Sequence, residues 1–117
     1  MPVTVAHHLN LERTSHNMLR QGDVLLQRIA RLPTGVQVQS HDVIVLAHGE
    51  VTGHAHTIND RTAQVGLDEG GVMFLTIEEL TEVRHQEHAP LIVTPGIYRV
   101  IRQREWTDAD EPRQVAD

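Results

Sequence analysis

Two histidines separated by one residue, His54 and His56, are the residues of this sequence best suited to chemistry. If they lie on a strand, successive side chains alternate between two faces, so both imidazoles share a face with the aliphatic Ile58. Because Ile58 should face the core, we expect both imidazoles to face inward too. Gly49 and Gly53 would allow a sharp turn or a close approach of the backbone beside them. A buried, convergent pair of neutral imidazoles is a metal-binding geometry.

A second histidine pair, His85 and His88, follows after enough chain to run out along one hairpin and return beside it. We predict that His88 joins the first pair at one divalent metal ion, and that His85 or a nearby carboxylate completes the shell. Such a ligand set suits Zn, Fe(II), Mn or Ni, and the residue types do not distinguish among them. The predicted metal ligands are therefore His54, His56, His88, His85 and Asp60.

One carboxylate close to the first pair, Glu50, has two interpretations. It could act as a general base beside the ion, which makes it the candidate catalytic residue, or it could be a surface carboxylate. The histidines also have a second interpretation, in which they hydrogen-bond to backbone and carboxylates and only hold the fold together.

The run from Gly49 to Gly66 resembles the first motif of the cupin superfamily, in which a glycine, a His-x-His pair, an acidic residue and another glycine follow in order. Asp60 stands where that family has glutamate, and each outer spacing is one residue shorter. The resemblance implies a small β-barrel whose two strand histidines, His54 and His56, bind a divalent metal. It covers eighteen residues, and the second cupin motif is not found in good form, because no histidine follows Pro95-Gly96.

Composition limits the classes of function. The chain has 117 residues, which suits one domain, and it has no cysteine, so thiolate metal sites are excluded. Ten basic and sixteen acidic residues give a net charge of −6, which disfavours binding to nucleic acid. Its apolar runs are far shorter than the ~20 residues of a membrane helix, and no signal pattern opens the sequence, so we expect no membrane partner and a cytoplasmic location.

Short apolar segments separated by turn residues predict an all-β fold, a single small antiparallel β-barrel or sandwich of cupin-like form. We expect an N-terminal arm over residues 1–20, a β domain over 21–106 and a mobile C-terminal tail over 107–117. The pattern predicts hairpins that pair 53–58 with 61–67 and 91–94 with 97–104, and a turn over 68–71. Strand 72–77 is predicted to lie in the middle of the sheet, and 97–104 at an edge or a subunit contact.

Three functions are compatible with these features. The first is a metal-dependent enzyme that acts on a small oxygen-containing substrate at an open coordination position. The second is a non-catalytic module for protein interaction or assembly, in which the histidines are structural. Its edge strand or terminal arms would bind a partner protein, or the edge strand would form a homo-oligomer. The third is acid–base catalysis by His and Glu without metal. The expected partner is thus a small-molecule ligand or another protein.

Overall fold

The computed structural model describes residues 17–49 and 53–103, and this part of the chain is all-β, as predicted. Turn residues separate short runs of aliphatic residues, and each run forms a strand. In chain order the strands are β1 Met18–Gln21, β2 Val24–Ile29, β3 Gln39–Ser40, β4 Ile44–His48, β5 Ala55–Ile58, β6 Gln64–Leu67, β7 Met73–Ile77, β8 Thr81–Val83, β9 Leu91–Val93 and β10 Gly96–Arg102.

The strands form three antiparallel sheets. The main sheet has six strands in the order β1-β2-β10-β7-β6-β3, and two-stranded sheets are formed by β4 with β5 and by β8 with β9. An isolated bridge between Thr57 and Arg84 connects β5 to the residues that follow β8. Within the described residues these sheets do not close into a barrel.

One cluster of buried apolar side chains draws on all three sheets, so they pack around a single core. Leu26 from the main sheet, Ile58 from β5 and Val93 from β9 are each fully buried. Burying such a side chain contributes about 1.5–3 kcal/mol. Tyr98 is also fully buried, and its hydroxyl donates a hydrogen bond to the Thr94 carbonyl at 2.7 Å, so its polar end is satisfied.

Both predicted hairpins are wrong. β5 pairs with β4, whereas β6 pairs with β7 and β3, so the turn at Asp60 leads from one sheet into another. β9 pairs with β8, and β10 pairs with β2 and β7. The edge position predicted for the last strand is also wrong, because β10 lies inside the main sheet. Apolar and charged residues alternate along this strand because Tyr98 and Val100 face the core, while Arg99 lies on the other face and is exposed.

Two other expectations, about the turn at 68–71 and the central position of β7, are confirmed. The turn at 68–71 joins β6 to β7, and the Asp68 carboxylate accepts hydrogen bonds there from the backbone N–H groups of Gly70 and Val72. β7 lies between β10 and β6, inside the sheet. β1 begins at Met18, within the segment predicted to be an arm. No helix in the described part of the chain is long and apolar enough to cross a membrane.

Candidate functional site

The bridge between β5 and the chain after β8 brings the two histidine pairs together. Thr57 and Arg84 exchange backbone hydrogen bonds of 2.9 and 2.8 Å. In an antiparallel register the next positions out from this pair are His56 opposite His85, and opposite residues share a face. The register continues, since the Ala55 N–H donates to the Gln86 side chain at 2.9 Å. Backbone pairing alone therefore positions the second pair beside the first.

Four imidazoles form the resulting histidine cluster, which comprises His54, His56, His85 and His88. The ring of His85 is central, with its centre 4.4 Å from that of His56, 4.6 Å from that of His88 and 5.5 Å from that of His54. The centres of the His56 and His88 rings are 6.0 Å apart. The structure thus brings the four predicted histidines together.

A glutamine fixes the orientation of the most buried histidine. His56 is only 2% exposed, and its Nδ1 lies 2.8 Å from Oε1 of Gln21 at the end of β1. The Gln21 amide nitrogen donates to the carbonyls of Val83 at 2.8 Å and Ala89 at 2.9 Å. Because two acceptors determine which end of the amide is nitrogen, the oxygen must face His56 and accept a proton from Nδ1. Neutral His56 therefore carries its proton on Nδ1 and a lone pair on Nε2.

That lone pair faces a carboxylate. Nε2 of His56 lies 3.4 Å from Oδ1 of Asp23. Burial lowers the pKa of His56, and the neighbouring His85 and His88 lower it further, while Asp23 opposes the shift. Neutral His56 thus directs electron density at a negative charge, an arrangement that favours a cation close to both groups.

The turn between β1 and β2 leaves room beside two of the rings. Gly22 has a φ of 61°, as required at the first central position of a type II′ hairpin turn, and Asp23 follows it. A methyl group placed on Gly22 would lie 2.7 Å from Nε2 of His88 and 3.3 Å from Cε1 of His56. The glycine therefore provides both the turn conformation and the space into which the two imidazoles project.

His85 carries its proton on the other nitrogen. Its Nδ1 accepts the backbone N–H of Glu87 at 3.0 Å, so the proton of neutral His85 is on Nε2. Burial lowers its pKa, followed by the charges of His88 and His54, while Glu87 and Asp23 oppose the shift. In this arrangement His85 is a hydrogen-bond donor and has no lone pair available for a metal.

His54 lies at the outer side of the cluster. The register places it opposite Glu87, and its Nδ1 is 3.7 Å from Oε2 of that residue. Its side chain is 20% exposed, compared with 2% for His56. The prediction that both members of the pair face inward is met by the burial of His56, whereas His54 is only partly covered.

The remaining motif positions have structural roles. The Asp60 carboxylate accepts hydrogen bonds from the N–H of Thr62 at 2.8 Å and from its hydroxyl at 2.7 Å, and these bonds lower the pKa of Asp60. It caps the turn after β5. A methyl group on Gly66 would lie 2.2 Å from the carbonyl oxygen of Gln37, so this glycine permits close contact between two backbones. Glu50, the predicted catalytic residue, lies outside the described residues.

In residues 17–49 and 53–103 no three histidine or carboxylate side chains are grouped so that they could hold a metal ion as they stand. An ion bound by the histidine cluster would therefore have to draw the imidazoles closer together. Rotation about χ1 and χ2 is the movement available to them.

Sequence reasoning missed three neighbours of the cluster, Gln21, Gly22 and Asp23. The signal was a Gly-Asp pair between two apolar segments, which is typical of a two-residue hairpin turn. Because Met18 to Arg20 falls within the predicted arm, the pair was interpreted as the start of a strand and not as a hairpin turn. No local pattern indicates that this turn meets the histidines, since the contact joins residues 35 positions apart.

The match to a family model extends over residues 20–103, and the family is described as a domain of unknown function, DUF8820. The match covers more than two thirds of the chain. The chain belongs to this family. Its matched segment begins in β1 and ends just after β10, so it includes every member of the histidine cluster and the Gln21–Asp23 turn. No curated protein and no solved structure matches the chain significantly.

Proposed function

We propose that this protein binds a divalent transition metal ion at the histidine cluster, through Nε2 of His56 and of His88 and with the Asp23 carboxylate. The observation that carries the proposal is the lone pair of buried His56 directed at Asp23, 3.4 Å away. A cation between these groups would interact favourably with both of them. The Gln21 oxygen that accepts the Nδ1 proton is the kind of outer partner that orients metal-binding histidines.

The spacing of the rings supports the same proposal. Two imidazoles bound to one tetrahedral ion, each at about 2.1 Å, have ring centres about 5 Å apart. The ring centres of the two proposed ligands, His56 and His88, are 6.0 Å apart, so a movement of about 1 Å would bring the rings to that separation. The absence of a side chain at Gly22 allows the imidazoles of His56 and His88 to lie close to the backbone of this turn.

The residues suggest an open site. Two imidazoles and one carboxylate leave at least one position for water or for an oxygen atom of a small substrate, where the ion would act as a Lewis acid. His85 would present its Nε2–H beside that position as a proton donor. His54 would lie outside the ligand set. A metal-dependent enzyme acting on a small oxygen-containing substrate, within a cupin-like barrel or sandwich, is the function we infer from these roles.

A second candidate is favoured by one observation: the buried His56 and the half-buried His85 already have structural hydrogen bonds. His56 holds β5 to β1 through Gln21, and His85 stabilises its own loop through the Glu87 N–H. In this case the histidines only connect the sheets, and the protein is a non-catalytic module that binds another protein.

Metal binding to the full-length protein separates the two candidates. Apoprotein prepared with a chelator is titrated calorimetrically with Zn²⁺ and Ni²⁺, and Co²⁺ absorption reports the ligand geometry. We expect one ion per chain and an affinity at least about a hundredfold lower in His56→Ala with His88→Ala. His41→Ala is the matched control, because His41 is exposed and outside the cluster.

The alternative predicts a different result. If wild-type protein binds no ion at stoichiometric concentration, or if His41→Ala weakens binding as much as the double variant, the metal proposal is overturned. Folding of each variant is checked by circular dichroism, and His56→Gln provides a more conservative change if the double variant does not fold.

A further inference from the structure

The main sheet has a second apolar face, directed away from the core. In the register of β2 and β10, Leu25 lies opposite Ile101 and Ile29 lies opposite Ile97. Opposite residues share a face, and this face is the one that carries the exposed Arg99. All four aliphatic side chains lie outside the core cluster. We call these four residues the outer apolar face.

The neighbouring part of the same side of the sheet is covered by a connecting segment. Phe74 of β7 lies opposite Gly66 of β6 and is only 5% exposed, and the backbone of Gln37 lies against Gly66. The outer apolar face lies further along the sheet and is half-buried. Strands with apolar residues on both faces are typical of sheets that are covered on both sides. β2 and β10 have this pattern, so the outer apolar face is suited to a covering segment.

Two arginines border the outer apolar face. Arg20 on β1 lies opposite Leu25, and Arg99 lies between Ile97 and Ile101 on β10. Both arginines are exposed, and the ion pairs among the described residues include neither of them. In a chain with a net charge of −6, this combination is complementary to a segment that is both apolar and acidic.

The chain that follows β10 has this composition. Residues 104–117 contain five acidic and two basic residues, together with Trp106, the only tryptophan of the sequence. The segment starts close to the outer apolar face, because the Gln103 N–H donates to the Asp23 carbonyl at 2.8 Å, at the beginning of β2. Three residues span at most about 10 Å, which is enough for Trp106 to return from Gln103 to Ile101.

We propose that this C-terminal segment, residues 104–117, binds the outer apolar face of its own chain. The Trp106 indole would cover Leu25 and Ile101, and the acidic residues would interact with the two bordering arginines. Burial of apolar surface would supply most of the favourable free energy, because exposed ion pairs contribute little. Charge would select the occupant: a second copy would bring the same arginines face to face, whereas the acidic segment attracts them. The proposal is independent of metal binding at the histidine cluster.

Nuclear Overhauser effects in the isotope-labelled 117-residue protein test the contact directly. We expect cross-peaks between the indole protons of Trp106 and the methyl groups of Leu25 and Ile101. A sample that mixes labelled and unlabelled chains separates contacts within one chain from contacts between two chains. Cross-peaks only between chains, cross-peaks from Trp106 to other parts of the protein, or no cross-peaks from the indole would each overturn the proposal.

Acrylamide quenching of the single tryptophan tests the role of charge. Arg20→Gln with Arg99→Gln removes both bordering charges, and we expect the ratio of protected to accessible Trp106 to fall about fivefold. The matched control is Arg61→Gln with Arg84→Gln, which changes the net charge equally. Both control residues are exposed and lie outside the main sheet, so quenching should be unchanged.

A second pair of variants tests the apolar contact. Ile101→Ala should raise quenching towards that of a free peptide of residues 104–117, whereas Ile92→Ala should leave it unchanged, because Ile92 is 51% exposed on β9. The arginine variants keep the test decisive if Ile101→Ala does not fold. Equal quenching of the wild-type protein and the free peptide, or equal effects of test and control variants, would contradict docking of the segment.

Discussion

Replacement of Gln21 by leucine tests the hydrogen bonds that orient the histidine cluster. Gln21 is 4% exposed and makes three side-chain hydrogen bonds, to Val83, Ala89 and His56. Leucine has a similar volume but no polar atoms, so two carbonyls and the His56 N–H lose their partner. At about 1 kcal/mol for each lost bond, we expect the free energy of unfolding to fall by about 3 kcal/mol.

Urea unfolding of the metal-free protein, followed by circular dichroism, measures this change. For a domain of this size with an m value of about 1 kcal/mol/M, the midpoint should fall by about 3 M. The control is Gln39→Leu, because Gln39 is exposed on β3 and its replacement should change stability by less than about 0.5 kcal/mol. A loss below about 1 kcal/mol in Gln21→Leu would refute the inferred hydrogen bonds.

A conservative variant tests the inferred tautomer. Gln21→Glu keeps an oxygen beside Nδ1 of His56 but introduces a negative charge and removes the donor to Val83 and Ala89. We expect the pKa of His56 to rise relative to wild type, because the new carboxylate favours the imidazolium. Titration of imidazole resonances by NMR measures it, and an unchanged or lower pKa would contradict the assigned orientation of the amide.

Three further changes have defined outcomes. Gly22→Ala should lower the free energy of unfolding by about 1 kcal/mol or more, because Gly22 has a positive φ and the new methyl group would lie 2.7 Å from Nε2 of His88. The same contact should lower the metal affinity measured by calorimetry. Asp68→Ala should lower the thermal midpoint with a loss of about 1 kcal/mol, since two turn N–H groups lose their acceptor, while metal binding is unaffected. The free energy of unfolding of metal-free protein, measured in urea, should fall as the pH drops below 6.5. The pKa values of His56 and His85 are lowered in the folded protein, so the unfolded chain binds protons at a higher pH than the folded chain does. A free energy of unfolding that stays constant as the pH falls from 7 to below 6.5 would contradict the lowered pKa values.

The sequence allowed the strands and the histidines to be predicted better than their arrangement. Short apolar segments between turn residues identified β2, β4 and β7, because the density of apolar residues is a local property of the sequence. Pairing was predicted poorly, because adjacent strands were assumed to form hairpins. The turn at Asp60 instead carries the chain to another sheet, and β10 is inserted between β2 and β7. Which strands pair over long distances depends on the total apolar surface that each arrangement buries, and a short stretch of sequence does not contain that information.

The histidine cluster was likewise predicted only in part. His85 was predicted near His56 because the intervening length suited an excursion and return, and the Thr57–Arg84 bridge provides the contact. The roles within the cluster could not be predicted. They depend on hydrogen bonds from Gln21 and from the Glu87 N–H, which decide where each imidazole carries its proton. The residue type indicates that an imidazole can bind metal. Which of its two nitrogens carries the proton determines where the lone pair for the metal lies.

Burial makes His56 a better candidate for metal than for pH sensing near neutrality. A metal ion and a proton compete for the same Nε2 lone pair. Because burial and the adjacent imidazoles lower the pKa of His56, a proton competes only weakly for this nitrogen at pH 7. A metal ion that binds there therefore rarely has to displace a proton. A divalent ion also has charge enough to interact with Asp23 and with two imidazoles at once, whereas a proton on His56 would be repelled by a second on His85 or His88. The closely spaced histidines therefore disfavour multiple protonation, and this supports the proposal that they share a single bound cation.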